Sequence, residues 1–208
     1  MVEELLSSGF EIQTIYAQSN WIENHSFDNI IEISEKELAS ISSLKNPNEV
    51  LAVVSKKKVE NIDLSGLTIA LDNIQDPGNL GTIIRTADWF GIKNIVCSSD
   101  SVDVYNPKVL QATMGSFFRV NLVYVDLVEF FNQNSKLTVY GALLNGDNVY
   151  NQQLLKSNAV LLMGNESKGV SDNLLPFITS KISIPKLGKA ESLNVSIATA
   201  ILCAEFTK

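Results

Sequence analysis

The chain has 208 residues, enough for one large domain or for an ordinary domain with a smaller companion. No apolar run is long enough to cross a bilayer, and the first residues lack the basic start and apolar centre of a secretory signal. We therefore expect a cytoplasmic protein. With one histidine and two cysteines that lack paired spacing, a zinc site of the usual kind is excluded, while an all-oxygen metal site stays open. The two cysteines are predicted to be small buried hydrophobes.

The net charge of −7 argues against a nucleic-acid partner, because neutralising phosphates takes lysine and arginine. The charge is unevenly distributed, however. Residues 1–66 carry 11 acidic and 5 basic side chains, whereas residues 67–208 carry 12 acidic and 11 basic ones. The second part is nearly neutral, so its basic groups could form a nucleic-acid footprint if the fold brings them together.

The first 55 residues predict a small α/β unit. A short helix ends near residues 5–7, and a second helix is expected over residues 35–42. Strand patterns occupy residues 12–16 and 51–54. These few elements make a small core, so we expect the unit either to be incomplete at its start or to lean on the larger domain. The polar residues 56–66 are predicted to form a linker to a catalytic domain at residues 67–208.

From residue 67 onward, short apolar runs alternate with helical patterns. Strands separated by helices predict an α/β fold in which helices cover both faces of a parallel sheet. The predicted strands are residues 67–71, 94–97, 122–125, 137–142, 159–163 and 182–184.

The helix after the first of these strands has a clear start signal, since Asp76 can cap it and Pro77 suits its first position. On a helical wheel Arg85 falls opposite the apolar stripe, above Gly78 and Gly81. We therefore predict that Arg85 projects over a bare glycine groove. The apolar stripe consists of Leu80, Ile83, Ile84 and Ala87.

The last helix is predicted over residues 192–206, with apolar side chains around most of its circumference. Such a helix is expected to be buried, either by the sheet or by a partner chain. Its first turn, with Ser192 and Asn194, would offer unpaired backbone N–H groups.

Three polar motifs could form a binding site. Each alone is typical of ordinary structure: a capped helix, a polar turn and a second helix cap. The second and third each follow a short apolar run, which suggests one pocket built from two loops. The motifs are Asn73, Asp76, Pro77, Gly78, Asn79, Gly81 and Arg85; then Gly164, Asn165, Glu166 and Gly169; then Ile184, Pro185, Ser192, Leu193 and Asn194.

Together, in this order on an alternating α/β chain, the motifs resemble those of the SpoU (TrmH-type) branch of the SPOUT methyltransferases. The resemblance covers about residues 67–208. It implies a ribose 2′-O-methyltransferase of RNA that uses S-adenosylmethionine, with a C-terminal trefoil knot and a homodimer. The unit at residues 1–55 is similar to the family's RNA substrate-binding domain without its usual first elements. This similarity favours ribosomal RNA over transfer RNA, although the acidity of the unit counts against it.

Matching the motifs residue by residue, the resemblance implies four catalytic residues: Asn79, Arg85, Glu166 and Asn194. No metal is implied. The implied cofactor-binding residues are Thr113, Gly115, Leu162, Met163, Gly164, Asn165, Glu166, Ile184, Leu187, Ser192, Leu193 and Asn194.

The role of Arg85 has two interpretations. As a general base it would have to be neutral near pH 7, which for an arginine costs roughly 8 kcal/mol. As a cation it would grip a phosphate and stabilise the developing alkoxide while another group or water takes the proton. Glu166 and Asn79 would then orient Arg85 or the ribose.

Three other functions compete with ribose methylation. A SPOUT protein could methylate a base, although Asn79 and Arg85 in the first motif favour ribose. A catalytically silent RNA-binding or assembly factor could retain the fold, although the motif set is complete. An ordinary doubly wound nucleotide-binding enzyme lacks support, since the sequence has neither a dinucleotide nor a phosphate-loop fingerprint.

Overall fold

The computed structural model describes residues 1–44, 46–57 and 62–208. Two compact units divide the chain, Met1–Lys58 and Val59–Lys208. Part of the predicted linker, residues 58–61, lies outside the described residues. Within the described ranges, no helix has both the length and the apolar character to cross a membrane. The same ranges hold no group of three or more histidine, cysteine, aspartate or glutamate residues placed to bind a metal.

The first unit contains a three-stranded sheet with β1 in the centre, parallel to β2 and antiparallel to β3. Its small core includes Ile15, Ala17 and Trp21. The four predicted elements are present, and a short helix and a short strand are added to them. In chain order the elements are α1 (Val2–Leu6), β1 (Ile12–Ala17), α2 (Ser19–Ile22), β2 (Ile30–Glu32), α3 (Glu35–Ile41) and β3 (Val50–Val54).

The second unit is built on a six-stranded sheet in which all neighbouring strands are parallel, as predicted. The strand order is β6-β5-β4-β8-β7-β9. β7 extends further than predicted, and β9 begins and ends earlier. The strands are β4 (Leu67–Leu71), β5 (Asn94–Ser98), β6 (Asn121–Val125), β7 (Thr138–Asn148), β8 (Ala159–Met163) and β9 (Ser180–Ser183).

Four helices cover this sheet, and alternate residues of each strand face opposite sides of it. On one face Ile69 and Leu71 pack in the cluster that holds Leu80 and Phe206. On the other face Ala70 packs in a separate cluster with residues of α6. Both faces are therefore covered, as a buried parallel sheet requires. The helices are α4 (Pro77–Trp89), α5 (Pro107–Thr113), α6 (Leu127–Gln133) and α7 (Val195–Thr207).

The start of α4 follows the prediction, but its glycine groove does not exist. Asp76 caps the helix by accepting from the backbone N of Asn79 at 2.8 Å. A Cβ at Gly81 would lie 2.5 Å from the Cβ of Ala112 in α5. The predicted groove below Arg85 is therefore wrong, since Gly81 lets α5 pack directly on α4.

The start of α7 differs from the prediction. The helix begins at Val195, and the side chain of Asn194 caps it by accepting from the backbone N–H of Ser196 at 2.9 Å. The first turn is thus partly satisfied and does not offer a free set of donors. Within the chain the sheet buries only one side of α7, because Ile197 in its first turn remains 54% exposed.

β7 carries a bulge where it pairs with β9. Ala142 and Asp147 both pair with Ile182, so residues 143–146 loop out between them. Gly146 is needed at this point, because a Cβ there would lie 2.5 Å from the backbone of Ile182. The bulge displaces residues 143 and 144 from regular pairing, beside the cavity described below.

Both cysteines are buried, as predicted. Burial raises the pKa of Cys203 to about 12 and raises that of Cys97 as well. The two thiols are therefore protonated at neutral pH and act as small apolar groups.

Candidate functional site

A cavity of about 770 Å³ opens beside the carboxyl ends of β8 and β9. Its walls come from the loop after β8, the segment between β9 and α7, and one side of α7. The bulged part of β7 closes the remaining side. This volume lies within the range of about 300 to 1,000 Å³ that is typical of small-molecule sites.

The cavity has an apolar floor and polar edges. Buried Met163 and Val195 contribute to the floor, while Glu166, Lys186 and Ser192 lie on exposed segments. Such a mixture suits a ligand that combines flat rings with charged groups. Of the predicted cofactor residues, eight line the cavity: Met163, Gly164, Asn165, Glu166, Ile184, Leu187, Ser192 and Leu193.

Four predicted cofactor residues do not line the cavity. Leu162 faces the opposite side of the sheet from Met163, because adjacent strand residues alternate. Thr113 donates its hydroxyl to the carbonyl of Leu110 within α5, and Gly115 occupies a left-handed turn with φ of +90° after that helix. Asn194 serves as the α7 cap.

The bulged strand supplies lining residues that the sequence did not reveal. Ala142, Leu143 and Leu144 line the cavity, together with Ile182 and Ser183 of β9. They carry no polar motif, so only the bulge would have indicated them. The nearest signal in the sequence is Gly146, since a glycine within a strand often marks a bulge.

The loop after β8 closes on itself and holds Glu166 at its tip. Asn165 and Gly169 exchange two backbone hydrogen bonds of 2.9 Å, and the side chain of Asn165 donates to the carbonyl of Asn73 at 2.8 Å. A Cβ at Gly164 would lie 2.2 Å from the backbone of Gly169. Gly164 is therefore required by the close packing of the loop on itself.

The end of β4 ties this loop to the sheet. Buried Asp72 accepts from the backbone N of Ser171 at 2.7 Å. Asn73 has φ of +54°, and its backbone N donates to the hydroxyl of Ser98 at 2.8 Å. The first and second motifs are thereby fixed to one rigid edge of the sheet.

Three of the four predicted catalytic residues form a hydrogen-bonded chain. The Nδ2 atom of Asn79 donates to Oε1 of Glu166 at 2.9 Å. The Nδ2 atom of Asn194 donates to Oδ1 of Asn79, also at 2.9 Å. The nitrogen of each amide donates to one partner, and its oxygen accepts from another. For Asn194 the accepting atom is Oδ1, which caps α7. We call Glu166, Asn79 and Asn194 the polar chain.

The polar chain fixes the orientation of the Asn79 amide. A carboxylate can only accept hydrogen bonds, so the amide must turn its nitrogen toward Glu166 and its oxygen toward Asn194. Glu166 and Asn194 are exposed, while Asn79 is half-buried between them. The chain therefore presents fixed polar groups to an incoming molecule.

Arg85, the fourth predicted catalytic residue, does not join the polar chain. It is exposed on α4 and makes no hydrogen bond or ion pair with any described residue. Arg85 lies six positions after Asn79, which places the two about 120° apart around the helix. Its guanidinium is thus available to an outside partner.

The motifs and the fold agree with a comparison of the whole chain. A model of the SpoU rRNA methylase family matches residues 66–204. The chain belongs to this family. The resemblance drawn from the three motifs is thereby confirmed.

Relatives with known names and solved structures extend this result. The 23S rRNA (guanosine(2553)-2′-O)-methyltransferase RlmP of Bacillus subtilis is 33% identical over 172 residues, covering 82% of this chain and 69% of the relative. A TrmH-family protein from Porphyromonas gingivalis is 36% identical and has a TM-score of 0.91, covering 99% of this chain and 85% of that one.

A second solved structure contains the cofactor. It is an rRNA methyltransferase from Sinorhizobium meliloti with bound S-adenosylmethionine, 29% identical with a TM-score of 0.87, covering 99% of this chain and 82% of that one. Among three curated relatives, the chain spans between 63% and 69% of their length. Because the relatives are longer, their activities are proposed for this SpoU family member and not assigned to it.

Proposed function

We propose that this protein transfers a methyl group from S-adenosylmethionine to a ribose 2′-hydroxyl of ribosomal RNA. The observation that carries the proposal is the polar chain, which sets three motif residues beside the 770 Å³ cavity. Family membership and the name of the Bacillus relative support the reaction and the substrate.

The cavity fits the cofactor by size and by chemistry. Met163, Ile184 and Leu193 offer apolar walls for the adenine, and the exposed hydroxyl of Ser192 and carboxylate of Glu191 offer polar contacts. When bound, S-adenosylmethionine supplies an electrophilic methyl group.

The protein's own residues position the acceptor. A ribose hydroxyl is a weak nucleophile, so catalysis depends on its alignment and on stabilising the charge that develops as its proton leaves to solvent. The fixed amide of Asn79 and the carboxylate of Glu166 hold the ribose. Arg85 acts as a cation that binds the adjacent phosphate and stabilises the developing alkoxide.

The finer predictions from the family belong to this proposal. The C-terminal part of the catalytic domain would form the trefoil knot that the family resemblance implies. Exposed Leu193 and Ile197 would be covered in a homodimer, since large exposed apolar groups mark interaction sites. Residues 1–55 would form the RNA substrate-binding domain, 56–66 the linker and 67–208 the catalytic domain. The cytoplasmic location stays a prediction.

The test is transfer of labelled methyl groups to total RNA from cells that lack this protein, followed by separation of ribosomal and transfer RNA and nucleoside analysis. Wild type should produce a 2′-O-methyl nucleoside in ribosomal RNA. Arg85→Ala should lose about 100-fold or more of the rate while still binding the cofactor, and Arg85→Lys should recover part of it. Exposed Lys136 supplies the control, so Lys136→Ala should retain full activity.

Three results would contradict the proposal. Label in transfer RNA alone would identify a tRNA enzyme, and label on a base would identify a different reaction. Absence of label despite cofactor binding, with RNA still bound, would indicate the silent RNA-binding factor.

A further inference from the structure

The outward face of α4 extends beyond Arg85 to Trp89. At 100° per residue, Thr82, Arg85 and Trp89 fall within about 60° of one another and opposite the buried stripe. All three side chains are exposed. We call these three residues the outward face of α4.

Neighbouring elements flank this face without covering it. On one side, Gly81 packs closely against α5, since a Cβ added at Gly81 would lie 2.5 Å from the Cβ of Ala112. On the other side, Asn79 bonds to Glu166 and Asn194 of the polar chain. The outward face thus remains open among the described residues of the second unit.

Trp89 is the unusual member of the face. Its side chain is 84% exposed and makes no hydrogen bond, ring contact or cation–π contact with the described residues. Tryptophan is usually largely buried, because burial removes the large apolar surface of its indole from water. A free indole at this position therefore indicates a partner that stacks on it.

Arg85 identifies the chemistry of that partner. Residues four apart on a helix have Cβ atoms about 5 to 6 Å from each other, so Arg85 and Trp89 are direct neighbours. A cation that binds phosphate beside an aromatic ring that stacks on bases is the combination found in sites for single-stranded nucleic acid. Arg85 makes no ion pair with a described carboxylate, so its planar guanidinium is available to grip a phosphate.

Asp88, which precedes Trp89 in the chain, is neutralised by an ion pair. Asp88 accepts from Arg119, with Nη2–Oδ2 at 2.9 Å and Nε–Oδ1 at 3.2 Å. This ion pair offsets the negative charge that would otherwise repel a phosphate near Trp89. The outward face therefore keeps a net attraction for RNA even though the whole chain is acidic.

We propose that Trp89 stacks on an unpaired base of the RNA substrate, next to the nucleotide whose phosphate Arg85 binds. The inference rests on the proposed function and adds a substrate-binding residue to it. Stacking needs an unpaired base, so the target nucleotide has a single-stranded neighbour. Trp89 then contributes to RNA binding and register, and not to cofactor binding.

The direct test uses tryptophan fluorescence with two probes of equal length and charge. One is a short oligoadenylate, and the other is the same ribose-phosphate chain without bases. The oligoadenylate should quench wild-type emission and leave Trp89→Phe unchanged, because the other tryptophan, Trp21, is buried. The abasic chain should leave both unchanged, since stacking requires the base.

The kinetic test measures methyl transfer to ribosomal RNA. Trp89→Ala should raise KM for RNA by about 5- to 150-fold with little change in kcat or in cofactor binding, and Trp89→Phe should recover most of it. Tyr150→Ala removes a half-exposed aromatic elsewhere and should behave as wild type. Because Trp89 is exposed, its replacement should leave the unfolding midpoint unchanged.

The outcomes separate this inference from the proposed function. If wild type methylates RNA while Trp89→Ala keeps both KM and fluorescence response, the stacking role is wrong. If Trp89 emission is blue-shifted in the free protein and shifts red on dilution as copies dissociate, a second copy covers it, which also overturns the inference. If wild type quenches with oligoadenylate but methylates nothing, the stacking site stands and the proposed reaction fails.

Discussion

Replacing Asn79 by aspartate tests the polar chain most directly. Asn79→Asp keeps the size of the side chain and the oxygen that accepts from Asn194. It changes the nitrogen that donates to Glu166 into a second carboxylate oxygen at the same place. Two negatively charged oxygens would then face each other across the 2.9 Å that now separates a donor from its acceptor.

The size of this repulsion follows from that distance. Two unit charges 2.9 Å apart repel by about 1.4 kcal/mol in water and by about 5.7 kcal/mol at an effective dielectric constant of about 20. One pKa unit corresponds to about 1.36 kcal/mol, so the upper pKa of the carboxyl pair should rise from about 4 to about 5 or above. Below that pKa, one shared proton restores the hydrogen bond.

The pH dependence therefore has a defined sign. The methyl-transfer rate of Asn79→Asp, divided by the wild-type rate at the same pH, should be highest at low pH. This ratio should fall as pH rises from about 5 to 8. Folding stability should follow the same direction. A folded-state pKa raised above the unfolded value stabilises the protonated form, and this stabilisation is lost as pH rises through the folded pKa.

A second substitution provides the matched control. Adding Glu166→Gln to Asn79→Asp removes the repulsion and lets the glutamine at position 166 donate to the carboxylate at position 79. The double variant should be more active at neutral pH than Asn79→Asp alone, and its activity ratio should lose the pH dependence. Equal activity of single and double variants at every pH would refute the role assigned to the polar chain.

Substitutions at two further positions separate packing from catalysis. Gly81→Ala should lower the free energy of unfolding by about 1 to 3 kcal/mol in a urea titration, because its Cβ would collide with Ala112; unchanged stability would show that α5 can move away. Asn194→Ala should lose about 1 kcal/mol with its helix cap, and activity with its bond to Asn79. Asn194→Asp should keep the cap and stability but still lose methyl transfer, and a fully active Asn194→Asp enzyme would show that the donated hydrogen bond is unnecessary.

The sequence predicted those features that depend on local pattern. The alternation of apolar runs and helices gave the parallel sheet, and the Asp76 cap gave the start of α4. The apolar stripe of α4 also placed Arg85 on its exposed side. Each of these follows from the chemistry of a few neighbouring residues.

The features that escaped prediction depend on contacts between distant parts of the chain. The sequence suggested an open groove at Gly81 because α5, which covers this glycine, has only seven residues and a weak helical pattern. The bulge in β7 arises from its register with β9, and Gly146 alone does not specify that register. In the polar chain, Asn79 bonds to Glu166, which is 87 positions away, and to Asn194, which is 115 positions away. The motifs could therefore identify the three residues but not which of them are bonded.

The double use of Asn194 links activity to the completion of folding. Its oxygen caps α7, and its nitrogen orients Asn79. A chain in which α7 has not yet folded cannot hold that amide in place. Recovery of methyl transfer during refolding should therefore follow the formation of α7, so activity returns only after this helix has formed.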